Sequence, residues 1–219
     1  MVKIAIVGGG PETSIPDLRL TQEAEGIDMW IGADRGALSI LEHGLRLDYA
    51  VGDFDSVTEN EENEIRQKAK KYVPYPPEKD WTDLELAVKY ACSLTPSYLY
   101  MFGLSGGRLD HTLINIQMIV KLTDQNIPAA LIDQNNLLTA AHPGTHEIKQ
   151  DRRFPYISFI PQTEHVRGLT LSGFYYSLSQ ADISWGSTLC ISNKLIGNNG
   201  TFSFDSGILL IIKSRDALG

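Results

Sequence analysis

Cysteine is almost absent: the 219 residues hold two, Cys92 and Cys190, placed for neither a zinc spacing nor a disulfide framework. Such sparing use fits a reducing cytoplasm. Positive charge is the minority, with 19 Lys and Arg against 27 Asp and Glu and a formal net charge of -8. That balance gives no general attraction to a phosphate backbone, so nucleic acid is not an expected partner. Long apolar runs are missing too. The first, Ile4 to Val7, stops at Gly8-Gly9-Gly10 and is too short for a signal core or a membrane span. The chain therefore reads as soluble and intracellular, with no membrane partner.

Several phosphate and nucleophile motifs are lacking as well. No Gly-x-x-x-x-Gly-Lys-Ser/Thr occurs, which argues against a P-loop fold. Gly8-Gly9-Gly10 lacks the third glycine of a dinucleotide fingerprint, because Thr13 stands in its place. It reads mainly as a tight turn. No Ser-His-Asp or Cys-His order stands out, and His111 beside Asp110 reads as a polar residue at a helix start.

What is present is alternation. Lys3 to Val7, Met29 to Ile31, Tyr49 to Val51, Tyr98 to Phe102 and Ala129 to Ile132 are short apolar runs bounded by Gly, Asp or Pro, the pattern of buried strands. Helices are expected over Thr58 to Lys71, with Thr58 and Glu61 as a capping box, over Asp80 to Cys92 and over Asp110 to Lys121. In the last, Leu113, Ile116, Gln117 and Val120 are spaced for one face. This predicts an α/β unit with a mostly parallel sheet flanked by helices, Rossmann-like in arrangement. After about Gly144 the pattern changes. Phe154 to Ile160, His165 to Leu171, Thr188 to Ile191, Thr201 to Phe204 and Ile208 to Ile212 are strand-length, and Pro, Gly and Asn separate them. A small antiparallel β domain is expected there. The junction falls at His142-Pro143-Gly144, giving domains 1–143 and 144–219.

The polar clusters follow the expected strands, where open α/β sheets bind ligands. Gly52-Asp53-Phe54-Asp55-Ser56 places two carboxylates two residues apart, on the same side if the segment is extended. At about 5 Å they repel by roughly 3 kcal/mol at an effective dielectric near 20. Such a pair favours a shared proton or a cation, with magnesium the natural oxygen-loving candidate, while an Asp-rich turn stands as the plain alternative. Gly32-Ala33-Asp34-Arg35-Gly36 and Lys79-Asp80-Trp81-Thr82-Asp83 are two more clusters, in which Asp34, Asp80 and Thr82 also suit helix capping. Gly103-Leu104-Ser105-Gly106-Gly107-Arg108 differs from these. Its paired glycines permit close approach, the helix start offers N–H groups, and Arg108 adds a fork of donors for phosphate oxygens.

Taken in order, Gly-Ala-Asp-x-Gly-Ala, Gly-Asp-Phe-Asp-Ser, Lys-Asp-x-Thr-Asp and Gly-x-x-Gly-Gly-Arg-x-Asp-His resemble the thiamine pyrophosphokinase family. The resemblance implies an ATP-binding α/β domain, a C-terminal β-sandwich for thiamine binding and dimerisation, a homodimer, and Mg2+ as cofactor. It assigns Asp53, Asp55 and Asp83 to metal and phosphates, and Lys79, Arg108 and Asp110 to the transferring group. Asp34, Ser56, Thr82, Gly107 and His111 join the ATP site. Gly173 to Leu178 resembles a segment supplying a ring that stacks on thiamine, through Tyr176 or the nearby Trp185. Ser192 and Asn193 fall in a following substrate-contact motif. Arg35 replaces a small residue of the family and either binds phosphate or faces solvent. The implied reaction is transfer of the pyrophosphoryl group of ATP to the thiamine hydroxyl. A different alcohol acceptor, or a non-catalytic sensor, are the competing readings.

Overall fold

The computed structural model describes residues 2–76 and 80–217, so Lys79 lies outside the described residues. Two compact units result. One comprises the chain to Met118 with Asn126–Gln134, the other Ile119–Gln125 with the chain from Asn135 onward.

The first unit carries β1 (Lys3–Val7), β2 (Met29–Ala33), β3 (Tyr49–Gly52), β4 (Lys71–Pro74), β5 (Tyr98–Phe102) and β6 (Ala129–Ile132). The strands lie in the order β4-β3-β2-β1-β5-β6, and every neighbouring pair is parallel. All residues of β3 and β6 are buried, as strands covered on both faces must be. Between strands run α1 (Leu18–Glu25), α2 (Gly36–Glu42), α3 (Glu59–Lys68), α4 (Asp83–Ser93) and α5 (Leu109–Asp124). Successive strands leave β1 in one direction through β2 to β4, and in the other through β5 and β6. The order reverses between β1 and β5, so their carboxyl ends frame a crevice.

Local signals explain the helix limits. Thr58 and Glu61 form the expected capping box, with the Thr58 amide donating to Glu61 Oε2 at 2.7 Å. The helix stops at Lys68, short of the expected Lys71, because Lys71 to Pro74 pair in parallel with β3. Tyr72 there stacks on Phe54 at 4.9 Å. Long-range pairing overrode the helical charge pattern. On α5 the buried residues are Asn115, Met118, Ile119 and Leu122, while Leu113 and Gln117 are not among them. That helix carries apolar residues on more than one face, so spacing alone did not select the inner one.

Gly36 opens α2 against the end of β1. A Cβ at this position would lie 2.0 Å from the Val7 carbonyl oxygen, a backbone atom that cannot swing aside. Gly36→Ala is expected to cost about 2 kcal/mol or more of stability through overpacking. Denaturant unfolding checks this, and an unchanged midpoint would contradict it.

The second unit is antiparallel. It contains β7 (Asn136–Ala141), β8 (Gly144–Lys149), β9 (Tyr156–Pro161), β10 (His165–Ser172), β11 (Leu178–Ser184), β12 (Asn199–Phe204) and β13 (Leu209–Ser214). β13 pairs with β7 and β9, and the second sheet runs β11-β10-β12-β8. Phe159 and Ile211 from the first set share one core with Val166, Leu171, Phe202 and Phe204 from the second. This is a sandwich-like packing of two sheets. The stretch 142–144 joins β7 to β8, and by compactness the chain from Asn135 onward, with Ile119–Gln125, groups with this unit. Thr188 to Ile191 forms a turn and not the expected strand: Ile191 N donates to Thr188 O, and Phe159 N anchors the Cys190 carbonyl at 2.9 Å. β11 escaped the sequence reading because it is polar, and Gln180 within it has a φ of 49°.

Candidate active site

Four loops leave the carboxyl ends of β1, β2, β3 and β5. They are held to one another by backbone. Gly10 N donates to Gly103 O at 2.8 Å, and Asp34 N donates to Val51 O at 2.8 Å. Gly103 has a φ of 65° and lies so close to Gly8 that a Cβ would meet its carbonyl oxygen at 2.4 Å. Only glycine satisfies both demands.

The carboxylates converge by a turn, not by the pleat of a strand. β3 ends at Gly52, and Phe54 adopts a φ of 57°, an unusual conformation for a bulky side chain. Its ring is buried at 3 % exposure and stacked on Tyr72, an anchor that offsets the backbone strain. Asp53 and Asp55 flank this anchor, and Asp55 N donates to Asp53 Oδ1 at 3.2 Å. Asp34, itself at a φ of 54°, comes from the end of β2. Carboxylate oxygens of Asp34, Asp53 and Asp55 all lie within 4.8 Å of one another. Burial pushes the Asp34 carboxyl up; a hydrogen bond from Ser56 Oγ at 2.6 Å opposes this, while the charges of Asp83, Asp53 and Asp55 add to the rise.

Among the described residues Asp34 Oδ1 is buried without a hydrogen-bond partner. An orphaned carboxylate oxygen beside two further acids fits a hard divalent cation with oxygen ligands. The resemblance named Asp53, Asp55 and Asp83 as ligands, whereas the group that converges has Asp34 as its third member. Asp83 is the first residue of α4, just after Thr82. The Thr82 hydroxyl accepts from Glu85 N at 3.2 Å, so it serves as the helix cap. Arg35 is exposed, and its Nη1 donates to Ser56 O at 3.4 Å, spanning the loops after β2 and β3.

On the other side of the crevice, Arg108 and Asp110 form a forked pair. Arg108 Nε donates to Asp110 Oδ1 at 3.2 Å and Nη2 to Oδ2 at 2.6 Å. The guanidinium's hydrogen bonds, with a further one from His111 N, hold the Asp110 carboxyl down to about 2. Gly107, Arg108, Asp110 and His111 are all exposed at the start of α5.

In the second unit, Tyr176 and Trp185 are both exposed, at 61 % and 74 %. The Tyr175 ring meets Tyr176 edge-on at 5.0 Å. Asn193 is buried, and its amide is engaged with backbone: Nδ2 donates to Tyr176 O at 2.8 Å, and Oδ1 accepts from Tyr176 N at 3.0 Å. It clips the Tyr176 segment in place, a role that sequence spacing did not reveal. Ser192 is exposed with a φ of 57°.

A parallel sheet whose carboxyl edge gathers acids, glycines and an arginine, with an antiparallel sandwich following in the chain, defines an α/β protein with a polar ligand crevice suited to phosphates. The comparisons narrow that class. The family profile described as "Thiamin pyrophosphokinase, catalytic domain" matches residues 20–131, and "Thiamin pyrophosphokinase, vitamin B1 binding domain" matches residues 145–209. Thiamine pyrophosphokinase of Bacillus subtilis is 46% identical over 216 residues, covering 99% of this chain and 100% of the relative. A crystal structure of the Bacillus subtilis protein superposes with a TM-score of 0.90 at 44% identity, covering 98% of this chain and 100% of that one. Thiamin pyrophosphokinase from Candida albicans, 16% identical, superposes with a TM-score of 0.79 over 97% of this chain and 90% of its own, a likeness of fold alone. The chain belongs to the thiamin pyrophosphokinase family.

Proposed function

We propose that the protein transfers the pyrophosphoryl group of ATP to the hydroxyl of thiamine, giving thiamine diphosphate and AMP. The observation that carries this reading within the family is the convergence of Asp34, Asp53 and Asp55, with Asp34 Oδ1 buried and without a hydrogen-bond partner among the described residues. These carboxylates would hold Mg2+, with Asp83 adding negative charge beside them. When bound, the ion neutralises polyphosphate charge and aligns the phosphates for in-line displacement. Arg108 presents fork donors to the phosphate oxygens and stabilises the charge that moves onto AMP. The glycine-rich loop before it lets the polyphosphate approach the backbone and the start of α5. A primary alcohol attacking an activated phosphorus needs positioning more than covalent catalysis. Asp55 or Asp83 would accept the hydroxyl proton.

Thiamine carries a permanent positive charge and a flat ring system, for which an exposed aromatic side chain is a suitable surface. Tyr176, held by Asn193, is the first candidate for stacking, and Trp185 the second. The reading includes a homodimer and a cytoplasmic location, which rest on the family resemblance and on the two cysteines being free.

Incubation of the purified protein with ATP, Mg2+ and thiamine is expected to yield AMP and thiamine diphosphate in equal amounts. ADP in place of AMP, or AMP release indifferent to thiamine, would overturn the proposal. The first outcome would mean transfer of a single phosphoryl group, the second a different acceptor. Nucleotide binding without turnover would identify a sensor.

A further inference from the structure

The glycine-rich loop after β5 is unusually well tied at its base. Gly103 O accepts from Gly10 N, and Leu104 O accepts from the Nδ2 of Asn115, a buried side chain on α5, at 2.9 Å. Ser105 Oγ then donates to Asp133 Oδ2 at 2.5 Å. Asp133 is itself buried, at 8 % exposure, just past the end of β6. Three consecutive residues are thus fixed from three different elements. The next three, Gly106, Gly107 and Arg108, are exposed.

This division of the loop has a physical meaning. Two adjacent glycines carry a large backbone entropy, and ordering them around a ligand costs binding energy. A base held rigidly shortens the segment that must be ordered when ligand arrives. The Ser105 link is the one nearest the glycines, and it is a hydrogen bond to a carboxylate, stronger than the neutral pair at Leu104. Ser105 and Asp133 meet at the base of the loop and not at its exposed tip, so they act on the phosphate side through the loop.

We propose that Ser105 and Asp133 form a positioning pair that presets the Gly106-Gly107-Arg108 segment for the nucleotide's phosphates. The proposal rests on the ATP-dependent transfer argued above. Its consequence is selective: loss of the pair weakens ATP and leaves thiamine unaffected, since the loop belongs to the phosphate side of the reaction.

The test is kinetic, with binding as an independent readout. Ser105→Ala is expected to raise KM for ATP about tenfold, the effect of losing a hydrogen bond to a charged partner, with KM for thiamine unchanged. Ser105→Thr keeps the hydroxyl and is expected to return KM for ATP to within about twofold of the starting value. Titration with the α,β-methylene analogue of ATP, which resists cleavage between those phosphorus atoms, is expected to show the same weakening in Kd. That arm separates the two readings, because it reports on the loop even if no thiamine diphosphate is formed. A lower melting temperature with unchanged KM and Kd for Ser105→Ala would make the pair merely structural and overturn the proposal. So would equal loss in the Ala and Thr variants. Should Ser105→Ala fail to fold, Asp133→Asn, which still offers Ser105 an acceptor, is expected to show a smaller rise in the same two constants. Unchanged constants in that variant would likewise overturn it.

Discussion

Asp53→Asn is expected to lower turnover by about a thousandfold, the upper range for removing one preorganised electrostatic contact, while leaving the protein folded. The substitution is nearly isosteric. The amide oxygen of the new side chain would still accept the Asp55 N–H that Asp53 Oδ1 now receives. What disappears is a charge from a cluster whose carboxylate oxygens lie within 4.8 Å of one another. Because that backbone contact is kept, the variant should remain folded, with a thermal midpoint close to that of the starting protein. Loss of the charge weakens the grip on a divalent cation. The measurement is AMP production against Mg2+ concentration, alongside thermal unfolding. Activity within tenfold of the starting protein would remove Asp53 from the site, and an unfolded variant would give it a structural role instead.

Arg108→Ala carries the second large effect. A cation that stabilises charge in phosphoryl transfer is worth about a thousandfold or more in rate. Both Arg108 and Asp110 are exposed, so the pair adds little to stability and the melting temperature should hold. Arg108→Lys is expected to recover only part of the activity, because a lysine supplies charge without the planar fork. A separate signature accompanies the alanine variant. Asp110 owes its depressed value of about 2 chiefly to Arg108, so its carboxyl should move up toward the ordinary value of 3.8. For a depressed acid, the linked stability is present above the unfolded value and lost as pH falls through the folded one. The acid limb of unfolding in Arg108→Ala should therefore lose whatever dependence Asp110 gives it. Steady-state kinetics and an NMR titration of Asp110 check the two halves of this expectation. Full activity in the alanine variant would contradict the first.

Much of the α/β unit was legible because its strands are short, continuous apolar runs, and β1, β5 and β6 fall on the residues that periodicity selects. β4 begins at the last residue of what reads as a charged helix, Lys71, and its remaining three residues carry no strand signal of their own. Its identity depends on pairing with β3 and on Tyr72 packing against Phe54, neither of which is a local property. The antiparallel unit was clear in kind but poorer in detail, since Cys190 is buried within a turn and β11 is largely exposed. At the candidate site, the motif residues fall on the loops after β2, β3 and β5 and at the start of α4. Grouping was another matter. Asp34 and Asp53 are neighbours because β2 and β3 are adjacent in the sheet, and sequence separation conceals this. Ser105 and Asp133 are similarly distant in the chain, and no motif links them.

Phe54 gives the acidic cluster a property that the acids lack on their own. Left to themselves, three carboxylates would drift apart and leave the job of assembly to the ligand. Here an aromatic ring sunk into the core holds the loop in its bent shape, so the apolar interior of the protein fixes the form of an acidic turn at its surface. The acidic turn is in this sense folded into existence along with the core, and its shape is set before any ligand arrives.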